Sequence, residues 1–365
     1  MQRKSSPSSL SAASYRDSGY RGAHRSRNAA LWRRGCTRFT GIRHFWTEKK
    51  CARERSDAAI PRIFIMRAAQ FRRFGGPDVL EIVELPEPHA GAGEVRVRVR
   101  AAGVNASDWK KRSGQMDQEL PQTLGYEAAG VVDEVGEGVT GVRAGDRVAG
   151  IGGDGAAQAE FAVLSTWAPI PASLDYVGAA ALPSTVETAA RALDQLGVTE
   201  GSVVLVNGAS GSIGSAAVQF ATHRGARVIG TGSPATHDYL RSLGAEPVAY
   251  GEGMAQRVRA IVPHGVGLAL DVAGSGALPE LIDLSGGAEN VLTIADVAGA
   301  QEYGVRFSRG DSGRAEYAIA WAMQLVDEGT FRLPVGKTFS LENVAEAHRA
   351  GESGTVRGKL VLTLD

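Results

Sequence analysis

Three glycines stand three residues apart in the stretch Asn-Gly-Ala-Ser-Gly-Ser-Ile-Gly, at Gly208, Gly211 and Gly214. Before them runs the apolar segment SVVLV, and after them an alanine-rich segment, SAAVQFATHRG. Any tight strand-to-helix turn favours glycine, so the spacing alone says little. In this context it can do chemistry. A helix begins with unpaired N–H groups and the positive end of its dipole, which together attract a phosphate. Glycines let the chain turn tightly, approach a pyrophosphate closely and pack helix on strand. The spacing is G-x-x-G-x-x-G, one residue off the usual dinucleotide fingerprint. Gly208, Ala209, Ser210, Gly211, Ser212, Ile213 and Gly214 are therefore the candidate phosphate cradle, with Ser210 and Ser212 as additional hydroxyl donors.

The next apolar run adds a second signal. NAD sites usually place an acid about twenty positions beyond the glycines, on the ribose hydroxyls. Here the run ends VIGTGSPATH, so Thr231, Gly232 and Ser233 take that place and no acid occurs before Asp238. The absence of an acid permits a 2′-phosphate and favours NADP(H) over NAD. The positive partner expected for that phosphate is not evident, because no Lys or Arg follows until Arg241.

These residues need a scaffold. From residue 202 onward, strand-like and helix-like segments alternate: SVVLVNG, SAAVQFATHRG, RVIGTG, ATHDYLRSLG, GLALDVAG, ALPELIDLSG and NVLTIAD. That alternation predicts an α/β, doubly wound parallel sheet. A helix over TVETAARALDQL, stopping at Gly197, precedes it. Residues 66–164 read differently. EVRVRVRAAGV alternates apolar and basic residues with period two, and glycines punctuate valine-rich runs, which predicts an antiparallel or barrel-like domain. The last segment, from FRLPVGKTF to GKLVLTLD, reads as strand, helix, strand rejoining that first domain.

The chain has 365 residues and no net charge, but its charge is unevenly spread. Residues 1–65 carry 15 Lys and Arg against 4 Asp and Glu, leaving 25 against 36 for the remaining 300 residues. This serine- and arginine-rich head is expected to be largely disordered, since it buries too little to offset its ordering entropy. Three readings of it stay open: a mitochondrial transit peptide, an arm for anionic surfaces such as nucleic acid, or sequence upstream of a working start at Met66. Both cysteines, Cys36 and Cys51, lie in the head, so neither disulfides nor cysteine-held metals are expected in the body. No apolar run reaches the roughly eighteen residues of a membrane span. A cytoplasmic location is expected, with the mitochondrion as the alternative.

At this point the body, residues 66–365, resembles the zinc-independent medium-chain dehydrogenase/reductases of the quinone oxidoreductase (zeta-crystallin-like) branch. The matching stretches are FGGPDVLEIVELPEP, AAGVNASDWKKRSG, PQTLGYEAAGVVDEVGEGVTGVRAGDRV, NGASGSIGSAAVQFA, SLGAEPV and VRGKLVL. The resemblance implies a GroES-like β-barrel domain over 66–188, completed by 331–365, and a Rossmann NADP-binding domain over 189–330. It implies that Asn105 and Thr188 lie at the nicotinamide, Tyr250 beside the adenosine 2′-phosphate, and Thr293, Ile294 and Ala295 along the nicotinamide amide. It also implies no metal. Zinc-dependent relatives carry a cysteine where Asn105 stands and Gly-His-Glu where this chain has Gly125, Tyr126 and Glu127.

The implied activity is NADPH-dependent reduction of a quinone or an α,β-unsaturated carbonyl. The alternative is a non-catalytic NADPH-binding protein of the same fold. Tyr126 and Asn105 are the candidate catalytic donors, and Asp108, Trp109 and Lys110 the candidate substrate contacts. Each has a plainer reading: a packed tyrosine, an asparagine pinning a turn, a solvated loop, and for Thr188 a helix face. His223, His264 and His348 have no partner spacing and are read as structural. A homodimer is implied by the resemblance, and nucleic acid is not an expected partner of the body.

Overall fold

In the computed structural model, which describes residues 64–153, 156–310 and 313–365, the valine–arginine alternation of 95–99 becomes a strand with one dry face. The first part of the chain forms β1 (Ile65–Phe71), β2 (Leu80–Pro86), β3 (Val95–Val104), α1 (Ala106–Arg112), β4 (Gln122–Thr123) and β5 (Glu127–Val135). It continues through β6 (Arg147–Ile151), β7 (Phe161–Leu164), β8 (Thr166–Pro169), α2 (Tyr176–Ala180) and α3 (Pro183–Leu196). Along β3, Val95, Val97 and Val99 are buried, while the Arg96 and Arg98 guanidiniums turn outward and both lie about 5 Å from the Phe161 ring. The expectation for the basic head falls almost wholly outside the described residues.

The second part alternates strictly. It comprises β9 (Val203–Asn207), α4 (Ser212–His223), β10 (Arg227–Gly232), α5 (His237–Ser242), β11 (Ala245–Ala249), α6 (Met254–Ile261) and β12 (Leu268–Asp271). Then come α7 (Leu278–Ser285), β13 (Val291–Thr293), α8 (Val297–Tyr303), β14 (Arg306–Phe307) and α9 (Tyr317–Asp327). The chain closes with β15 (Val335–Ser340), α10 (Val344–Glu352) and β16 (Lys359–Thr363).

Strands β9 to β14 form one parallel sheet in the order β11-β10-β9-β12-β13-β14. Counted from its first strand this is 3-2-1-4-5-6, the Rossmann order, in which ligands settle beyond the carboxyl ends of the strands where the order reverses. That point lies between β9 and β12. The second sheet runs β15-β16-β3-β5-β6-β8, with β7 also paired to β3, and a third holds β2-β1-β4. Strand β16 pairs antiparallel with β3, placing Leu360 opposite Val104. The 188/189 division expected from the sequence lies inside the continuous helix α3.

The glycine turn is held by packing on both sides. Val204, Leu205 and Val206 of β9 are fully buried, each contributing about 1.5–3 kcal/mol. On α4, Phe220 is fully buried and stacks on Trp321 of α9 at 4.4 Å between ring centroids. Among the described residues no helix is long and apolar enough to cross a membrane.

Candidate active site

A cleft of about 510 Å³ opens beyond the carboxyl end of β9. One wall is the glycine turn, with Gly208, Ser210, Gly211, Ser212, Ile213 and Gly214. The other wall comes from the second sheet: Asn105 and Trp109 in the first part of α1, Gly351 near the end of α10, and the chain from Gly354 to Leu360 leading into β16. Ser233, Thr236 and Tyr250 line the end nearest β10 and β11.

The turn is built to leave space. Gly208 has φ +82°, the left-handed region that side chains avoid. A Cβ on Gly214 would lie 2.7 Å from the Ala209 Cα and closer still to the Gly208 carbonyl oxygen, so only glycine lets α4 approach β9 this closely. Gly211 differs: its backbone is ordinary, at φ −76° and ψ 173°, and its Cβ would touch only the Gly208 oxygen, at 3.5 Å. The space in front of Gly211 belongs to the cleft. The twelve-residue helix α4 begins there, its first N–H groups lacking intrahelical acceptors. An open floor at an unpaired helix start fits a dinucleotide diphosphate.

Behind the turn runs a buried polar chain. The Thr231 hydroxyl accepts from the Gly208 N–H at 2.9 Å and donates to Asn207 Oδ1 at 2.8 Å. Asn207 Nδ2 donates to Asp271 Oδ1 at 3.0 Å, and Asp271 Oδ2 accepts from the Thr293 hydroxyl at 2.8 Å. The Thr293 oxygen in turn accepts from the backbone N–H groups of Ala295 and Asp296, each at 3.1 Å. This chain ties the carboxyl ends of β10, β9, β12 and β13 to one another. Thr231 and Thr293, expected as cofactor contacts, are 1% and 0% exposed. They shape the cleft from behind because their hydroxyls are consumed inside the sheet. Ala209 and Gly232 are likewise buried, and Ile294 and Ala295 are half-buried beyond β13.

At the other wall a buried ammonium organises the site. Lys359 is 4% exposed and Glu127 is 0% exposed. Lys359 Nζ lies 2.6 Å from Glu127 Oε1, donates to Asn105 Oδ1 at 2.6 Å, and donates to the Thr185 hydroxyl at 3.1 Å. Asn105 Nδ2 donates to Glu127 Oε1 at 2.9 Å, and the Ser184 N–H donates to Glu127 Oε2 at 2.7 Å. All three ammonium protons are thus used, and the orientation of the Asn105 amide is fixed. One Asn105 Nδ2 proton is left for the cleft.

The structure therefore brings Asn105, Trp109, Ser233, Tyr250 and most of the glycine turn to one cleft. It redistributes the rest. The α3 threonine lining the cleft is Thr185; Thr188 lies a turn further on, bonded to Glu187 and Arg191 at 3.4 Å. Asp108 is fully buried rather than solvated. Its carboxyl accepts from the Asn105 N–H at 2.7 Å and the Gly125 N–H at 3.3 Å, fixing the start of α1. Burial pushes its pKa up to about 7, and the nearby Glu127 charge adds to the rise. Lys110 is half-buried outside the cleft lining. Tyr126 is half-buried with the Lys111 ammonium 4.8 Å from its ring centre, and burial raises its pKa. His348 is fully buried against Arg112, and burial with that neighbouring charge lowers its pKa to about 3, so it is neutral.

Sequence reasoning missed Lys359, Glu127, Thr185, Asn207 and Asp271 as site-builders. The available signal was charge inside apolar strands: a lysine opening KLVLT and an aspartate closing LALD. Among the described residues no three His, Cys, Asp or Glu side chains converge as a metal site would require.

Comparison with known proteins agrees with this geometry. The family described as alcohol dehydrogenase GroES-like domain matches residues 91–172, and that described as zinc-binding dehydrogenase matches residues 243–362. A spectinabilin polyketide synthase protein of Streptomyces orinoci is 34% identical over 80% of this chain, which spans 14% of that protein. Rat quinone oxidoreductase is 39% identical over 46% of this chain and 53% of its own length. Tomato 2-methylene-furan-3-one reductase is 29% identical over 81% of this chain and 79% of its own. The quinone oxidoreductase structure from Coxiella burnetii superposes with a TM-score of 0.72 at 30% identity, covering 83% of this chain and all of that one. A mycobacterial structure complexed with NADPH gives 0.69 at 28% identity, over 82% of this chain and all of that one. With the Rossmann strand order, the open glycine turn and these matches together, the chain belongs to the medium-chain dehydrogenase/reductase family of nicotinamide-dependent oxidoreductases and groups with its quinone oxidoreductases.

Proposed function

We propose that this protein is an NADPH-dependent reductase of quinones or α,β-unsaturated carbonyls that works without zinc. The observation that carries the reading is the composition of the cleft. It joins a glycine turn open at Gly211 to the Asn105–Trp109 wall, and no carboxylate is among its lining residues. A cleft without carboxylates does not repel the additional negative charge of a 2′-phosphate, and Ser233 and Tyr250 line its far end. When bound there, the nicotinamide supplies the hydride equivalent to the electrophile.

The chain's own residues bind, orient and balance charge. The start of α4 holds the diphosphate, with Ser210 and Ser212 beside it. Asn105, locked by Lys359 and Glu127, offers its remaining Nδ2 proton at the wall that faces the turn. A fixed donor of this kind stabilises an enolate or hydroquinone oxyanion as charge develops, because no reorientation is needed at that moment. The Lys359 ammonium adds a permanent positive charge directly behind it. Where a zinc site would need a metal-binding side chain, this chain has an asparagine already bonded to an ammonium and a carboxylate, a donor set that supports metal-free chemistry. The alternative, a protein that binds NADPH without turnover, is separated by one experiment. The full chain is mixed with NADPH and a panel of quinones and enones, and the loss of reduced-nicotinamide absorbance is followed. Turnover on the panel is expected; binding without turnover on any member would leave the non-catalytic reading.

A further inference from the structure

A second cavity, of about 280 Å³, lies where the end of α3 meets the segment leading into α9. It shares no lining residue with the cleft. Its buried member is Arg191 of α3, 7% exposed. The Arg191 guanidinium pairs with Glu187 at 2.8 Å, reaches the Thr188 hydroxyl at 3.4 Å, and donates to the Ser308 hydroxyl. These bonds leave one NH1 proton unspent. The acid of the cavity is occupied too: Asp194 pairs with Arg224 at 2.7 Å and accepts from the Tyr317 hydroxyl at 2.9 Å.

Arg314 differs. It is exposed, and among the described residues no hydrogen bond or ion pair engages its guanidinium. The backbone beside it is fixed, because Ala315 is buried and its N–H donates to Glu187 Oε1 at 3.3 Å. With Arg191 offset by Glu187 and Asp194 by Arg224, Arg314 is the uncompensated charge among the described lining residues. Ala315 and the Tyr317 ring supply apolar surface next to it.

We infer that this cavity is a second binding site, which takes one small carboxylate with a flat apolar body. Arg314 holds the carboxylate through two parallel N–H···O bonds, a geometry that a guanidinium offers and an ammonium does not. The spare Arg191 proton adds a donor from the buried side, and the apolar body lies against Tyr317 and Ala315. One uncompensated positive charge selects a monoanion, since a second negative charge would face Asp194 without a cation of its own. The site needs no nucleotide, so the inference stands apart from the proposed function.

The test titrates sodium benzoate, and its neutral counterpart benzamide, into the full chain without nucleotide and at constant ionic strength, following heat and thermal unfolding. Wild type is compared with Arg314→Ala, Arg314→Lys and Arg357→Ala, the last removing the exposed arginine that lines the cleft. Saturable binding of one benzoate is expected, weakened about tenfold or more by Arg314→Ala, partly recovered by lysine, unchanged by Arg357→Ala, and at least about tenfold weaker for benzamide. No saturable binding to wild type, or equal affinity in a folded Arg314→Ala variant, would overturn the inference. Loss of benzoate binding in Arg357→Ala alone would move the carboxylate to the cleft and overturn it as well. So would inorganic phosphate binding through Arg314 where benzoate does not. NADPH turnover is untouched by any of these outcomes, so the proposed function stands or falls separately.

Discussion

Replacing Gly211 by valine separates cofactor binding from folding in a way the geometry makes quantitative. The backbone there has φ −76° and ψ 173°, which any residue adopts, and the only atom near a Cβ is the Gly208 oxygen at 3.5 Å. Valine is therefore accommodated by the fold and projects its methyl groups into the cleft at the start of α4. A diphosphate held there loses two or more charge-assisted bonds, about 1.5–3 kcal/mol each. Two such bonds make about 3–6 kcal/mol, a fall of at least about 100-fold in affinity. Gly214→Ala provides the contrast, because its Cβ would press into Gly208 and the Ala209 Cα at 2.7 Å. That variant is expected to lose stability, since the strain is between two backbones. The assay pairs thermal unfolding with NADPH titration. Gly211→Val should melt within about 2 °C of wild type, under 1 kcal/mol, while failing to take up nucleotide. Wild-type affinity in that variant would refute the placement of the diphosphate at this turn.

Two further outcomes follow from the buried charges. Lys359→Met leaves the Glu127 carboxylate buried without its cation, which should destabilise the fold by about 3–5 kcal/mol. Lys359→Met combined with Glu127→Gln should regain most of that loss in urea unfolding; strict additivity would contradict the ion pair's role. Asp108 titrates at about 7 in the fold against 3.8 normally, so the folded chain holds a proton that the unfolded chain has released across that window. Stability contributed by this group is full below about pH 4, falls as pH rises through 7, and then levels off. The rise from 3.8 to about 7 corresponds to on the order of 4 kcal/mol. Asp108→Asn carries no such proton, so its stability relative to wild type should improve by that order between pH 4 and pH 8. A difference that stays flat across this range would show that burial does not govern this carboxyl.

How much of this was legible in the sequence depends on what each signal needs. The parallel sheet showed through because each βα unit is local: VVLVN runs into glycines and then alanines within a few residues, and β3 shows its buried face in a strict alternation. The glycine turn was legible for the same reason. The Lys359 contacts were not, because Asn105, Glu127, Thr185 and Lys359 are scattered over more than 250 positions and meet only when β16 pairs with β3. Thr231 and Thr293 sat at the right strand ends, but whether a hydroxyl faces a ligand or a neighbouring strand is decided by side-chain direction, which spacing does not encode. Asp108 followed a helix start as a capping acid would, yet its complete burial depends on Gly125 and Gln158 arriving from connections distant in the chain. Arg314 lies in a glycine-containing connection with no periodicity, so only the assembled cavity reveals it.

The central claim, that this cleft delivers a hydride from the nicotinamide to a carbon electrophile, is tested most directly by isotope transfer. The full chain is given NADPH deuterated at both C4 positions, together with an enone that it consumes, and the product is read by mass spectrometry and NMR. One deuterium at the β-carbon is the predicted result, with the α-carbon proton drawn from solvent. A reduced product carrying no deuterium would contradict the account.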